Sequence, residues 1–165
     1  MSADKLGSRV WINGEVVPAA HAAVPLGDRG FTLGDGIFET MLWTGDRVRY
    51  FDRHMARLAQ ACAALGLPLP FAQHQIEDAL SALGVDAAGS KAVMRLTLTR
   101  GSGARGLAFP DQVKPLAIAS IAPINPSTSA LNLKTVAITR NVGAISTRFK
   151  TLSYIDNIMA LQEAR

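Results

Sequence analysis

Residues 26–43 read LGDRGFTLGDGIFETMLW, and this stretch decides how the chain is expected to fold. Its first half is rich in glycine and aspartate, which favour tight turns and let the backbone approach a neighbour closely. Its second half, residues 37–43, is apolar and predicts a strand. The chain is then expected to turn at residues 44–46 and to return as a second strand over residues 48–51.

Strands and helices are predicted on both sides of this stretch. Residues 10–17 contain Asn13-Gly14, the turn signal of a β-hairpin, and residues 92–99 and 115–121 have the β-branched and apolar composition of strands. Asp52 is a candidate N-cap for a helix with one apolar face, and a second helix is expected over residues 73–83. This mixture predicts an α+β fold.

The chain is expected to divide at a segment rich in proline and turn-forming residues. Residues 1–122 are predicted to form an N-terminal domain, residues 123–130 a linker, and residues 131–165 the start of a second domain. This last part is predicted to contain a strand over residues 133–139 and a helix over residues 152–163. Two elements are too few for a domain and no helix-ending residue follows, so the chain is expected to be incomplete.

Composition argues against several classes of function. The 165 residues carry a formal charge of +4, and the 17 lysines and arginines are dispersed rather than clustered, so no nucleic-acid partner is expected. Cys62 is predicted to be a core residue, and the three histidines are far apart, so neither a disulfide nor a metal site is expected. Without a signal-peptide segment or a membrane-spanning apolar run, a cytoplasmic protein with no membrane partner is expected.

Lys150 is the candidate reactive side chain. It lies between an irregular segment and an apolar helical run, with Tyr154 and Asn157 close in sequence. A lysine that is partly desolvated and close to other cations has a lowered pKa, so it can act as the free amine that attacks a carbonyl. The alternative is an ordinary surface lysine before a helix, and local context alone favours that alternative.

Two groups of arginines are candidates for anion binding. Arg53 and Arg57 are four residues apart and share one side of the first helix, where a guanidinium could bind a phosphate. The sequence RGSGARG, residues 100–106, places two arginines in a loop that could bind a substrate carboxylate. The alternatives are a solvated basic helix face, which is the more common outcome, and a flexible hairpin loop with incidental charge.

Together these segments resemble the class IV pyridoxal-phosphate-dependent aminotransferases, a group that includes branched-chain and D-amino-acid aminotransferases and aminodeoxychorismate lyase. The resemblance extends from Trp11 to Arg165. It implies the α+β fold of D-amino-acid aminotransferase, with a complete small N-terminal domain, a C-terminal domain only begun, and truncation after the lysine helix. The resemblance rests on DRGF and GDGIFE within residues 28–39, HMARL at 54–58, RGSGARG at 100–106 and KTLSY at 150–154.

The resemblance implies a role for each matched residue. Lys150 corresponds to the lysine that holds pyridoxal 5′-phosphate as an internal aldimine and then moves a proton. Arg57 corresponds to the arginine that binds the cofactor phosphate, and Tyr154 to a tyrosine that hydrogen-bonds the cofactor's phenolic oxygen. Phe38 lies where the substrate pocket is lined, and Arg105 where the D-amino-acid enzymes bind the substrate α-carboxylate. No metal is implied.

The substrate-recognition residues match no single branch of the family. Phe38 replaces a tyrosine of the D-amino-acid enzymes, and Leu42 replaces an arginine of the branched-chain type. The arginine loop favours the lyase, whereas Glu39 and the helix after Lys150 favour the aminotransferases. The carboxylate that keeps the cofactor's ring nitrogen protonated lies, in the family, on the C-terminal side of the lysine helix and has no counterpart in this sequence.

The resemblance therefore implies transamination between an amino acid or amine and a 2-oxo acid, in a homodimer. Two alternatives stay open. One is aminodeoxychorismate lyase activity, which releases pyruvate in the folate pathway. The other is a catalytically incomplete fragment.

Overall fold

The structure, a computed structural model, describes residues 7–87, 89–124, 130 and 132–165, and these form an α+β fold, as predicted. The strands are β1 (Arg9–Ile12), β2 (Glu15–Pro18), β3 (Gly36–Trp43), β4 (Ala92–Thr99) and β5 (Leu116–Pro123). The α-helices are α1 (Arg29–Leu33), α2 (Phe51–Leu65), α3 (Gln73–Gly84), α4 (Ile145–Arg148) and α5 (Ile155–Ala164), and short 3-10 helices cover Ala19–His21 and Val85–Ala87.

The five strands form one antiparallel sheet in the order β2-β1-β5-β4-β3. The predicted hairpin is confirmed: Asn13 and Gly14 join β1 to β2 with φ angles of 44° and 104°, the left-handed conformation that a two-residue hairpin turn requires. The central strand β5 pairs with both β1 and β4, so strands distant in sequence are held in one layer.

One face of the sheet is covered by α2 and α3. Ile37 and Met41 of β3 point to this face and pack with Leu58 of α2 and Leu80 of α3, and each of the four is at most 2% exposed. Cys62 belongs to the same core, as predicted, and burial raises the pKa of its thiol to about 11. Because side chains alternate along a strand, Phe38 and its neighbours at every second position of β3 point to the opposite face.

The outer edge of β3 is paired with two separate segments. Near its start, Phe38 N donates to Lys150 O at 2.8 Å, and Leu152 N donates to Gly36 O at 2.9 Å. Near its end, Arg49 N donates to Leu42 O at 2.8 Å. Residue 151 lies opposite Ile37, so Lys150 lies beside Phe38 on the face away from the core.

Four secondary-structure predictions were wrong, and three of them concern segments next to β3. Residues 48–51 do not form a full strand, because only Val48 and Arg49 reach β3 and α2 begins at Phe51. Asp52 therefore lies in the first turn of α2, and Tyr50, with φ 56°, holds the N-cap position. The last helix begins at Ile155 instead of residue 152, because residues 150–152 pair with β3 instead.

The strand predicted over residues 133–139 is also absent from the described part of the chain. Lys134 Nζ instead donates to Glu163 O at 2.6 Å, and Ala137 N donates to Glu163 Oε1 at 2.9 Å. A strand needs a partner edge, and none of the described strands pairs with this segment. Most of the predicted linker, at 125–129, lies outside the described residues, so the division into two domains stays a prediction.

Asp35 joins two buried arginines just before β3 begins. Its Oδ2 accepts hydrogen bonds from Arg29 Nε and Arg100 Nε, each at 2.8 Å. The Arg29 and Arg100 side chains are only 4% and 2% exposed. Arg100 also donates to the carbonyls of Leu65 and Gly66 at the end of α2. One carboxylate thus connects the Gly/Asp-rich stretch, the end of β4 and the end of α2.

Replacing Asp35 with asparagine is expected to destabilise the fold. Burial alone would raise the pKa of Asp35, but hydrogen bonds and charge from Arg100 and Arg29 outweigh it and hold the pKa below its usual 3.8. Asp35→Asn leaves two buried guanidinium groups without a counter-charge, so we expect a loss of about 3 kcal/mol in the free energy of unfolding at neutral pH. Urea denaturation measures this loss.

The difference in unfolding free energy between wild type and Asp35→Asn should decrease as the pH is lowered. Because folding lowers the pKa of Asp35, its contribution is complete above the unfolded value and is lost as pH falls through the folded value. Wild type and Asp35→Asn should therefore converge in stability in strong acid. Asp111→Asn, at an exposed position, is the matched control and should change little. Equal stability of wild type and Asp35→Asn at neutral pH would contradict the expectation.

Candidate active site

Lys150, Phe38 and Tyr154 lie together at the outer edge of β3. Lys150 Nζ lies 4.5 Å from the centroid of the Phe38 ring and 3.4 Å from Tyr154 Oη. The Phe38 and Tyr154 rings meet edge to face with centroids 5.0 Å apart. An ammonium over an aromatic face is attracted by the ring's quadrupole, so Phe38 holds the lysine head close to the tyrosine hydroxyl.

Arg95 is a second cation on the same ring. Its Cζ lies 3.7 Å from the Phe38 centroid, and its Nε donates to Thr97 Oγ1 at 3.2 Å. No acidic side chain in the described ranges pairs with it. Desolvation lowers the pKa of the Arg95 guanidinium, an effect partly opposed by the Tyr154 hydroxyl. Arg95 therefore presents an uncompensated positive charge on the open face of the sheet.

Arg57 is held by a buried carboxylate. Glu39, on the core side of β3, accepts a hydrogen bond from Arg57 Nε at 2.7 Å through Oε1 and a second one from Arg57 Nη2 through Oε2. His54 Nδ1 lies 2.8 Å from the same Oε2. The Glu39 side chain is 2% exposed, whereas that of Arg57 is 52% exposed. The guanidinium is thus fixed along one edge and open along the other.

The charges of this group reinforce each other. Burial would raise the pKa of Glu39, but hydrogen bonds and charge from Arg57 and His54 outweigh burial and lower it. The hydrogen bond to Glu39 raises the pKa of Arg57 in turn, against the opposing effect of burial, with smaller contributions from the charge of Glu39 and from Tyr154. Both groups therefore stay ionised at neutral pH.

A small cleft brings the two sets of side chains together. An amine, a guanidinium and an aromatic face converge there, and Tyr154 adds a hydroxyl next to the amine. This donor set suits an aromatic aldehyde that carries a phosphate, because an amine can bond to a carbonyl carbon and a guanidinium binds phosphate. The cleft is lined by Ile37, Phe38, Glu39, Arg57, Leu58, Ala61 and Lys150.

Arg105 is not part of this cleft. It lines a separate cavity of about 250 Å³ with Arg29 and Leu33, and the two cavities share no lining residue. The loop that carries Arg105 is held by Arg29, which donates to the carbonyl oxygens of Gly106 at 3.1 Å and Leu107 at 3.2 Å. Within the described part of one chain, Arg105 and Lys150 therefore line different cavities.

The sequence analysis did not identify Arg95 as a residue of the site, nor Glu39 as the partner of Arg57. Arg95 is the one charged residue in the strand AVMRLTLT, and a lone arginine among apolar and threonine positions was the available signal. Glu39 is likewise the only charged residue of β3, in GIFETMLW. Its bond to Arg57, 18 positions away, had no signal in the sequence, because it depends on how α2 packs against the sheet.

No helix among the described residues is both long and apolar enough to cross a membrane. Within the same residues, no group of three or more histidine, cysteine, aspartate or glutamate side chains is arranged to bind a metal ion.

Two curated relatives represent different activities. The chain is 25% identical over 158 residues to a D-alanine aminotransferase of Bacillus licheniformis, covering 95% of this chain and 56% of that protein. It is 33% identical over 96 residues to an aminodeoxychorismate lyase of Vibrio harveyi, covering 58% of this chain and 33% of that protein. The chain thus spans about half the length, or less, of the curated relatives it matches.

The fold is shared with solved structures. The branched-chain amino acid aminotransferase of Escherichia coli superposes with a TM-score of 0.85 at 20% identity, covering 96% of this chain and 56% of that one. The sequence profile described as amino-transferase class IV matches residues 36–165, which include β3, Arg57, Arg95 and Lys150. The chain therefore belongs to the class IV aminotransferase family.

Proposed function

We propose that the protein is a pyridoxal-phosphate-dependent aminotransferase that moves an amino group between an amino acid or amine and a 2-oxo acid. The observation that carries this proposal is the cleft in which Lys150 and Arg57 meet beside Phe38. Lys150 would supply the amine that condenses with the cofactor's aldehyde, with release of water, and Arg57 would anchor the cofactor's phosphate. Tyr154, whose Oη lies 3.4 Å from Lys150 Nζ, would hydrogen-bond the cofactor's phenolic oxygen.

When bound, pyridoxal phosphate supplies an electron sink for bond cleavage at the carbon that carries the amino group. The chain supplies the proton transfer. Of the titratable groups that line the cleft, Glu39 and Arg57 hold each other in the charged state, because the pKa of one is lowered and that of the other is raised. Lys150 is left as the group that can exchange a proton, so we assign it general acid–base catalysis.

The unpaired charge of Arg95 favours a substrate that carries a carboxylate. Its guanidinium lies on the Phe38 ring, has no carboxylate partner in the described residues, and is partly desolvated. A substrate carboxylate would supply the missing counter-charge and place the substrate next to Lys150. Phe38, whose ring contacts both Lys150 and Arg95, would then line the pocket beside the bound acid.

The proposal includes a homodimer in which Arg105 binds the substrate α-carboxylate at the partner's site, which leaves Arg95 for a side-chain carboxylate. In its own chain Arg105 lines a different cavity from Lys150, and its loop is held by Arg29. Leu26, Phe31 and Leu107 are 84%, 69% and 81% exposed, and such apolar surface is typical of an interface. Sedimentation velocity should detect a dimer, and a species that stays monomeric at all concentrations would contradict this part of the proposal.

Replacing Lys150 with alanine should abolish covalent cofactor binding. With pyridoxal phosphate, the wild type should develop an absorbance band to the long-wavelength side of the free cofactor. Borohydride should fix the cofactor to the peptide that contains Lys150. Lys150→Ala should show neither effect, because Lys150 is the only amine among the described residues that line the cleft. Lys91→Ala, an exposed lysine away from the cleft, is the matched control and should retain both.

Either contrary result is informative. A band that persists in Lys150→Ala would show that another amine reacts. A band in neither protein would favour the catalytically incomplete fragment over the working enzyme. Such a result would also remove the basis for a role in amino-acid metabolism.

The second candidate function is that of aminodeoxychorismate lyase. It is favoured by the arginine loop at residues 100–106 and by the 33% identity to the lyase of Vibrio harveyi. The test is to supply aminodeoxychorismate with no 2-oxo acid. A lyase releases pyruvate under these conditions, whereas an aminotransferase needs the 2-oxo acid to regenerate the cofactor. We expect turnover only when pyruvate or 2-oxoglutarate is added with an amino donor, and pyruvate release without an acceptor would contradict this.

A further inference from the structure

Glu39 is a buried carboxylate on the face of β3 that otherwise packs against helices. Ile37 and Met41, its neighbours on the same face, are core residues, and Glu39 itself is 1% exposed. Burying a carboxylate is unfavourable unless it is paired and hydrogen-bonded. An apolar side chain would fill this position in an ordinary core, so the carboxylate calls for an explanation beyond packing.

The contacts of Glu39 are all directed at α2. Both carboxylate oxygens bond to the side-on edge of Arg57, formed by Nε and Nη2, and His54 Nδ1 lies 2.8 Å from Oε2. His54 and Arg57 are three residues apart on the helix, so one carboxylate meets two side chains of the same face. A planar guanidinium bonded along two of its nitrogens has no freedom to rotate about its last bond.

The remaining edge of Arg57 is open. Nη1 makes no hydrogen bond to any described residue, and about half of the Arg57 side chain is exposed. Arg57 lines the same cleft as Lys150, whose Nζ lies 3.4 Å from Tyr154 Oη.

We propose that Glu39 is a positioning residue, whose carboxylate clamps the side-on edge of Arg57 so that the terminal edge is aimed at the phosphate of a cofactor bound to Lys150. This inference rests on the proposed function. It adds that Arg57 binds phosphate through a geometry that the sheet imposes, and that a lysine cannot replace it. A lysine has a single charged head and cannot bond along one edge while presenting another.

The test compares pyridoxal phosphate with pyridoxal, which lacks the phosphate. For each protein, absorbance titration gives the affinity for both compounds, and their ratio isolates the contribution of the phosphate. Glu39→Gln preserves the volume of the side chain but weakens the clamp. We expect the preference for the phosphorylated compound to fall about tenfold, roughly the loss of one charge-assisted hydrogen bond. The affinity for pyridoxal itself should be unchanged.

Arg57→Lys provides the second arm of a double-mutant cycle. In the wild-type background it should also reduce the phosphate preference about tenfold, because the clamp is lost although the positive charge stays. In the Glu39→Gln background, exchanging Arg57 for lysine should have no further effect. A purely structural role for Glu39 would instead lower the affinity for both compounds equally and leave the phosphate preference unchanged, so Arg57→Lys would still reduce that preference in the Glu39→Gln background.

Two further measurements complete the design. Glu77→Gln, an exposed glutamate of α3, has the same charge change and should leave the preference unaltered. Nuclear magnetic resonance of the unliganded chain should show separate, slowly exchanging Nη signals for Arg57 in the wild type and merged signals in Glu39→Gln. This second readout needs no cofactor, so it tests the clamp by itself.

The possible failures can be told apart. If neither compound forms a Lys150-dependent band, the proposed function fails and this inference fails with it. If both compounds bind and Glu39→Gln leaves their ratio unchanged, only this inference is overturned. Merged Nη signals for Arg57 in the wild type would overturn it as well, because the guanidinium would then rotate freely.

Discussion

The fold depends on the bond between Asp35 and two arginines that lie almost completely inside the protein. Without that carboxylate, Arg29 and Arg100 would be buried cations with no counter-charge, an arrangement that proteins avoid. With it, the turn before β3, the end of β4 and the end of α2 meet at one point. The glycines around Asp35 have a related purpose: a side chain at Gly36 would come within 2.6 Å of Leu98 O and 2.7 Å of Leu152 Cδ1.

The same chemistry occurs a second time, four residues further along. Glu39 and Arg57 also form a buried acid–arginine pair, but here one partner keeps an exposed edge. In the first group, Asp35 with Arg29 and Arg100, both guanidinium groups are bonded inward, and Arg29 holds the loop that contains Gly106. The second leaves donors pointing outward and can hold a ligand. The carboxylate just before β3, Asp35, thus stabilises the fold, whereas the carboxylate in the middle of β3, Glu39, holds the candidate binding residue Arg57.

The sequence was sufficient for the elements with strong local signals. The Asn13-Gly14 turn, the alternating residues of β4 and the apolar face of α2 each specify their own conformation. The strand prediction for residues 133–139 was wrong because composition gives the intrinsic preference of a segment for β-structure but does not show whether a partner strand is available. Lys150 was found from its context, whereas its position beside Phe38 follows from strand pairing across more than a hundred residues. Arg95 was overlooked because a solitary arginine on a strand resembles an ordinary surface charge.

The pairing of residues 150–152 with β3 also bears on solubility. An exposed strand edge offers unpaired amides and carbonyls to any other chain, and β3, which includes Ile37 and Phe38, is long and apolar. The backbone of the lysine segment covers the first part of that edge, and Arg49 covers the last part. A shortened chain that stopped at residue 122 would leave the first part of the β3 edge unpaired, and we would expect it to aggregate. Residues 150–152, which include the reactive lysine, therefore also protect the edge of the sheet from pairing with other copies of the chain.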